Sequence, residues 1–253
     1  MKLNKRIYYL IFFFYSITYS QVSGKIEYTY IKNLGINYET TGVLLFNSSG
    51  SKFTELSPEQ HRSNTEKEFD SVQKRVVFNH KNRPVNYIFL KEQKLISTEN
   101  LFKKRYFVEE NIPKINWKIS DEYKNIGNYK CQKAEGIFRG RTYIAWFTNQ
   151  LPVPYGPWKL QGLPGLILEV IDSKKELIFL TKKITLNNEA ISINFNEFDS
   201  TISLKEFIQI LPEKYEERAQ IISSKLPKGR SFHFQAPPRE TQKEIIYEWE
   251  EDK

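Results

Sequence analysis

One cysteine, three histidines and a carboxylate set in an apolar run are the residues of this chain whose types could carry chemistry. Cys131 lies in Tyr129-Lys130-Cys131-Gln132-Lys133-Ala134, a segment with strand character. Lys130 and Lys133 would lower the thiol pKa if they sat near the sulfur, which makes Cys131 the candidate reactive thiol. The competing reading is a buried structural cysteine. A nucleophilic cysteine needs a base, and His61, His80 and His233 are distant in sequence and belong to no motif. His233, between Phe232 and Phe234, reads as a solvent-facing strand histidine. The histidines are single and the carboxylates scattered, so neither a metal site nor a cofactor is expected. There is no Gly-x-Ser-x-Gly elbow for a serine hydrolase. Glu169 sits inside Leu166-Ile167-Leu168-Glu169-Val170-Ile171. Pointing inward it would need a partner, with Lys159 or Arg141 as candidates; pointing outward and paired is the simpler arrangement.

The most distinctive stretch is Leu151 to Gly165, rich in Pro and Gly, followed by an apolar strand. Leu163 before Pro164 is pushed toward extended backbone. Pro164-Gly165 suits the two central positions of a type II turn, which would give Gly165 a positive φ. A phosphate cradle is a poor reading, because no helix begins after Gly165. Trp117, Tyr143, Trp146, Phe147, Tyr155 and Trp158 crowd the same region. They either fill the core of a curved sheet or line a concave apolar site. In the second case Trp146, Tyr155, Trp158, Lys159, Gly162, Leu163, Pro164 and Gly165 form the candidate binding loop. Trp146 from its strand and Trp158 from the returning loop are expected to cover the two sides of one apolar layer, both mostly buried.

The elements that must position these residues are mainly strands. Ile26, Tyr28 and Tyr30 alternate with Lys25, Glu27 and Thr29, a period of two. Further strands are expected at Gly42–Phe46, Ser51–Leu56, Arg75–Phe78, Val85–Leu90, Lys94–Thr98, Lys104–Glu109, Trp117–Ile119, Tyr129–Phe138, Thr142–Thr148, Leu166–Ile171 and Glu176–Thr185. Ser57–Ser71 is polar and reads as a surface loop. Arg139-Gly140 fits a two-residue hairpin turn. Only the region after Ser200 is helical in pattern. Ser203 with Glu206 makes a capping box, followed by the stripe Leu204, Phe207, Ile208, Leu211. Pro212 is expected to break the run, with a second short helix carrying Tyr215, Ala219 and Ile222. The tail from Lys228 is polar and either wraps as an arm or stays loose.

The first twenty residues read as a secretory signal peptide. Lys2, Lys5 and Arg6 precede an apolar run from Ile7 to Ile17, too short to span a bilayer as a helix. Thr18 and Ser20 are small residues at the −3 and −1 positions for cleavage before Gln21. Removal takes away three basic residues from a net charge of +8 and leaves +5 on residues 21–253. That mild excess has no dense basic stripe, so nucleic-acid binding is not expected. A single cysteine rules out an intrachain disulfide framework.

Gly162-Leu163-Pro164-Gly165-Leu166-Ile167, with Ile126–Ala134 and Arg141–Thr148 upstream, resembles the GLPGLI family of exported bacterial proteins. The resemblance is concentrated in residues 115–172. It implies export and a family without an established activity, and it supplies no catalytic residues to transfer.

The expected fold is mainly β: one domain over residues 21–253, built on a curved antiparallel sheet with two short helices near the C-terminus. The picture is an open half-barrel of the kind used by periplasmic lipoprotein carriers. The expected role is a non-enzymatic protein of the periplasm or outer membrane, or a secreted one, that binds a partner protein or an apolar ligand. It could serve an outer-membrane receptor system. After cleavage no transmembrane span is expected. The alternative is an envelope enzyme acting on peptides or through the Cys131 thiol.

Overall fold

The computed structural model describes residues 22–56, 83–102, 104–187, 198, 200–227, 230, 233 and 236–250. The export signal, the loop expected at Ser57–Ser71, the strand expected at Arg75–Phe78, and His61 and His80 lie outside the described residues.

Two antiparallel meanders build the sheet. The first comprises β1 (Ser23–Leu34), β2 (Ile36–Phe46), β3 (Gly50–Glu55), β4 (Val85–Phe89), β5 (Lys94–Leu101) and β6 (Lys104–Asn111). The second comprises β7 (Lys118–Ile126), β8 (Tyr129–Phe138), β9 (Arg141–Thr148), β10 (Leu166–Asp172) and β11 (Leu177–Asn187). They join where β1 pairs with β11, from Ser23↔Asn187 to Lys32↔Leu177. A short strand, β12 (Ile202–Ser203), adds in parallel to β6. The result is one open sheet of twelve strands in the order β12-β6-β5-β4-β3-β2-β1-β11-β10-β9-β8-β7.

The period-two residues set the curvature. Ile26, Tyr28 and Tyr30 are fully buried on the inner face, opposite Leu44, Gly42 and Thr40 of β2. Phe53, Ile88, Leu95, Tyr143, Ala145, Phe147 and Phe179 continue that face. The twist accumulated over many strands, with the large aromatic side chains gathered on one face, favours a curled sheet. β6 is second in the strand order and β8 eleventh, yet Arg139 at the β8–β9 turn pairs with Glu110 of β6. Only a sheet curled most of the way to a barrel brings those two together.

The helix differs from expectation. Leu204–Ser223 is one continuous helix, α1, with Pro212 inside it, rather than two short ones. The capping box is present: Ser203 Oγ accepts from the Glu206 N–H at 3.2 Å, and the Ser203 N–H donates to Glu206 Oε2 at 3.0 Å. Tyr215 continues the stripe of Leu204, Phe207, Ile208 and Leu211 on the same helical face, so burial runs across the proline. That packing offsets the roughly 3 kcal/mol an interior proline costs.

The chain after Pro237 wraps as an arm. The Arg139 carbonyl accepts the Ile245 N–H at 2.9 Å, while Arg141 donates to the carbonyls of Glu240, Gln242 and Lys243 at 3.1, 2.7 and 3.1 Å. Arg139 and Gly140 both have positive φ, 47° and 81°, the two-residue type I′ hairpin their order implies. The turn therefore presents the Arg139 carbonyl and guanidinium to the arm. Among the described residues no helix is long and apolar enough to cross a membrane.

Candidate functional site

The Pro/Gly-rich loop is packed inside the curl. Leu151, Val153, Tyr155, Trp158, Leu160 and Leu163 are all buried. Backbone bonds fold it on itself and onto β10: Gly162 N–H to the Pro154 carbonyl at 2.9 Å, and Ile167 N–H to the Tyr155 carbonyl at 2.9 Å. The Trp117 indole N–H donates to the Gln161 carbonyl at 2.8 Å.

The type II turn expected at Pro164-Gly165 is not formed. Gly165 does not have a positive φ; Gly162 does, at 93°. Gly165 is required for another reason. A Cβ there would lie 2.2 Å from the Thr148 carbonyl oxygen, so the loop backbone presses directly on the end of β9.

The eight candidate binding residues separate. Tyr155, Leu163 and Gly165 are buried in the loop's own packing, while Gly162 and Pro164 are exposed. Trp146 does not share a layer with Trp158. It alternates away from Tyr143, Ala145 and Phe147, is half-buried on the other face of β9, and carries Lys124 Nζ 4.6 Å from its ring centroid. That ammonium also pairs with Glu169, which points outward. Lys159 and Arg141, the partners Glu169 could have had, are engaged elsewhere. Trp158 is 4% exposed, stacks edge-on against Phe138 at 5.6 Å, and forms part of a cavity wall.

Cys131 is fully buried, and burial and the nearby Glu169 charge push its thiol up to about 11. Lys133 pairs with Glu122 at 2.7 Å, and Lys130 lies over the Tyr123 ring at 4.5 Å. The features that would make Cys131 a thiolate are not assembled around it, which corrects the reactive-thiol expectation.

The cavity is the site the structure assembles. It has a volume of about 670 Å³, within the usual range for small-molecule sites. Leu34 of β1 and Leu101 of β5 face the α1 stripe of Leu204, Phe207, Ile208 and Leu211 across it, and the arm from Pro237 to Tyr247 closes one side. Its polar groups come from strand ends. Lys32 follows Tyr30 in the inward period-two series of β1, with Leu34 buried after it. Glu99 follows Leu95 and Ser97 in the inward series of β5, with Leu101 buried after it. A charged residue continuing an inward series is the signal that marks both, and the strands expected at Gly24–Ile31 and Lys94–Thr98 end one residue short of them.

Two ion clusters flank the cavity. In the first, Glu55 Oε1 accepts from the Tyr38 hydroxyl at 2.7 Å and Glu55 Oε2 from Lys243 at 2.9 Å. Burial opposes the Glu55 charge, but Lys243 and these bonds outweigh it and hold the carboxyl below its usual range. Burial likewise opposes the Lys243 charge, and Glu55 more than compensates. In the second cluster, Lys159 Nζ lies 2.8 Å from Glu110 and 3.1 Å from Glu244, and Arg139 pairs with both of those acids and with Glu248. Loop, arm, hairpin turn and β6 each contribute a member, so Lys159 is a strap between segments.

Glu99 and Lys32 lie beside these clusters without forming a salt bridge to either among the described residues. Among the described residues, no side chain donates a hydrogen bond to the Glu99 carboxylate. Burial pushes its pKa up; Lys159 opposes the shift and Glu244 adds to it. Among the described residues Lys32 forms no salt bridge; its ammonium lies 5.6 Å from the Tyr38 ring centroid, and burial followed by the Lys243 charge lowers its pKa against the opposing pull of Glu55.

Comparison with known proteins gives a short match to one family and a likeness of fold. No curated protein matches the chain. Two crystal forms of PNGF-II, in space groups C2 and P21, resemble it with TM-scores of 0.51 and 0.52 at 16% and 17% identity. Each likeness covers 77% of this chain but only 33% or 34% of PNGF-II, so the chain spans about a third of that protein and shares its fold there. Residues 135–169, from β8 through the buried loop into β10, match a family described as "Protein of unknown function (Porph_ging)".

Proposed function

We propose that this chain is an exported cell-envelope protein of the GLPGLI type that holds an apolar ligand in the half-barrel cavity without converting it. The observation that carries the reading is the cavity itself, about 670 Å³ between the inner sheet face and the apolar stripe of α1. The Leu204, Phe207, Ile208 and Leu211 side chains line it together with Leu34 and Leu101. Export is supported by the pattern of residues 1–20, and the family by the hexapeptide at 162–167. In this reading the Leu151–Gly165 loop is the floor of the half-barrel, and its Trp158 is the residue that meets the ligand. A periplasmic or outer-membrane location, beside an outer-membrane receptor system, belongs to the same proposal.

Calorimetric titration of residues 21–253 with dodecanol tests it. Saturable one-to-one binding is expected. Ile208→Gln places an amide in the wall and is expected to weaken binding by at least about fivefold with an unchanged circular dichroism spectrum. Absence of binding by the unmodified chain would overturn the reading.

A further inference from the structure

We propose that the cavity's ligand carries an ammonium at one end and a carboxylate at the other, the ammonium seated at Glu99 and the carboxylate at Lys32, with an apolar body between. This rests on the apolar-ligand reading above and names the ligand class.

The argument is one of charge accounting on the cavity wall. Glu55 and Lys243 hold each other, and Glu244 holds Arg139 and Lys159. Arg83, also on the wall, is not free. Glu99 and Lys32 remain, an acid without a donor and an ammonium without a carboxylate among the described residues. Both continue inward-facing series, so both side chains lie half-buried on the cavity wall. The groups facing Glu99 are Lys159 and Lys243, which favour its charge, and Glu244 and Glu110, which oppose it; burial is the largest influence and raises its pKa. Those facing Lys32 are Lys243 and Glu55, already paired. Each side chain is partly shielded from water by the cavity wall and forms no salt bridge among the described residues, and a ligand bearing both opposite charges supplies a partner at each end.

Spacing sets the ligand's form. Lys32 is on β1 and Glu99 on β5, four places apart in the strand order. Four strand spacings are roughly 19 Å of arc, and the chord across the curled sheet is shorter. The two side chains reach inward from opposite parts of the curl and shorten the gap between their charges below that chord. A body separating its charges by the length of roughly three to five extended residues fits. Short apolar peptides with free termini and ω-amino fatty acids share that chemistry.

Calorimetry on residues 21–253 at about pH 7 with dodecanol, dodecanoate, dodecylamine, ω-aminododecanoate and a leucine–valine tetrapeptide with free or blocked ends tests the assignment. At least one doubly charged probe is expected to bind about tenfold or more tighter than dodecanol. A tighter tetrapeptide identifies a peptide ligand, and a tighter ω-aminododecanoate identifies a straight chain. Glu99→Gln is expected to weaken the amine-bearing probes about tenfold and spare dodecanoate. Lys32→Met is expected to do the converse. Dodecanol binding as tightly as every charged probe overturns the charged-end assignment and leaves the apolar-ligand reading standing. Binding by none of the probes overturns both.

Discussion

Removing the Lys159 ammonium should destabilise the fold far more than a loop substitution ordinarily does. Lys159 is 1% exposed and sits 2.8 Å from Glu110 and 3.1 Å from Glu244. In Lys159→Met the apolar stem is kept and only the charge is lost. Glu110 and Glu244 are then left to Arg139 alone, two buried acids against one cation, with Glu248 half outside. Breaking a buried pair from one side costs about 3–5 kcal/mol. At a urea m-value of roughly 3 kcal/mol/M, that lowers the unfolding midpoint by about 1–2 M. The pH dependence follows from Glu244. Burial opposes its charge, but Lys159 and Arg139 outweigh burial and depress its folded pKa. Its contribution is therefore present above the ordinary carboxylate pKa and is lost as pH falls through the depressed folded value. The variant loses much of that contribution, so its deficit should be widest near neutrality and narrow in acid. Adding Glu244→Gln removes the unbalanced acid and should recover part of the loss, a coupling that a double-mutant cycle reads directly. An unchanged midpoint for Lys159→Met, or strictly additive losses in the double variant, would refute the reasoning.

Gly165→Ala should cost about 1–3 kcal/mol in urea unfolding, because its Cβ would meet the Thr148 carbonyl oxygen at 2.2 Å; a neutral result would show that the loop and β9 are not in that contact. The Cys131 thiol, pushed up to about 11, should be thiolate in only about one molecule in a thousand at pH 8, so an aromatic disulfide reagent should react slowly with the native chain and rapidly in urea. A native rate matching that of a free thiol would contradict its burial.

Most of the strands were legible because a half-buried strand writes its inner face in alternate residues. Tyr129–Phe138 is a strand with the bounds its pattern implied, and Ile26, Tyr28 and Tyr30 are inward as their alternation required. The capping box at Ser203 and the turn at Arg139-Gly140 were legible for the same reason: each is settled by bonds and dihedrals within a few residues. Pro212 misled because local cost argued for a break, while the burial that outweighs it comes from elsewhere in the chain. Gly165 misled in the same way: Pro-Gly suits a type II turn locally, but the constraint is the Thr148 carbonyl from a neighbouring strand. Of the candidate site, the sequence marked Trp158 and Lys159 but not their roles. Whether Lys159 meets a ligand or Glu110 and Glu244 depends on residues 49 and 85 positions away. The inward direction of Lys32 and Glu99 is a local property, readable from period two. Their lack of a partner is not local, because it depends on which charges the pairing of β1 with β11 and the closing arm bring to the same wall. Only the folded sheet decides that.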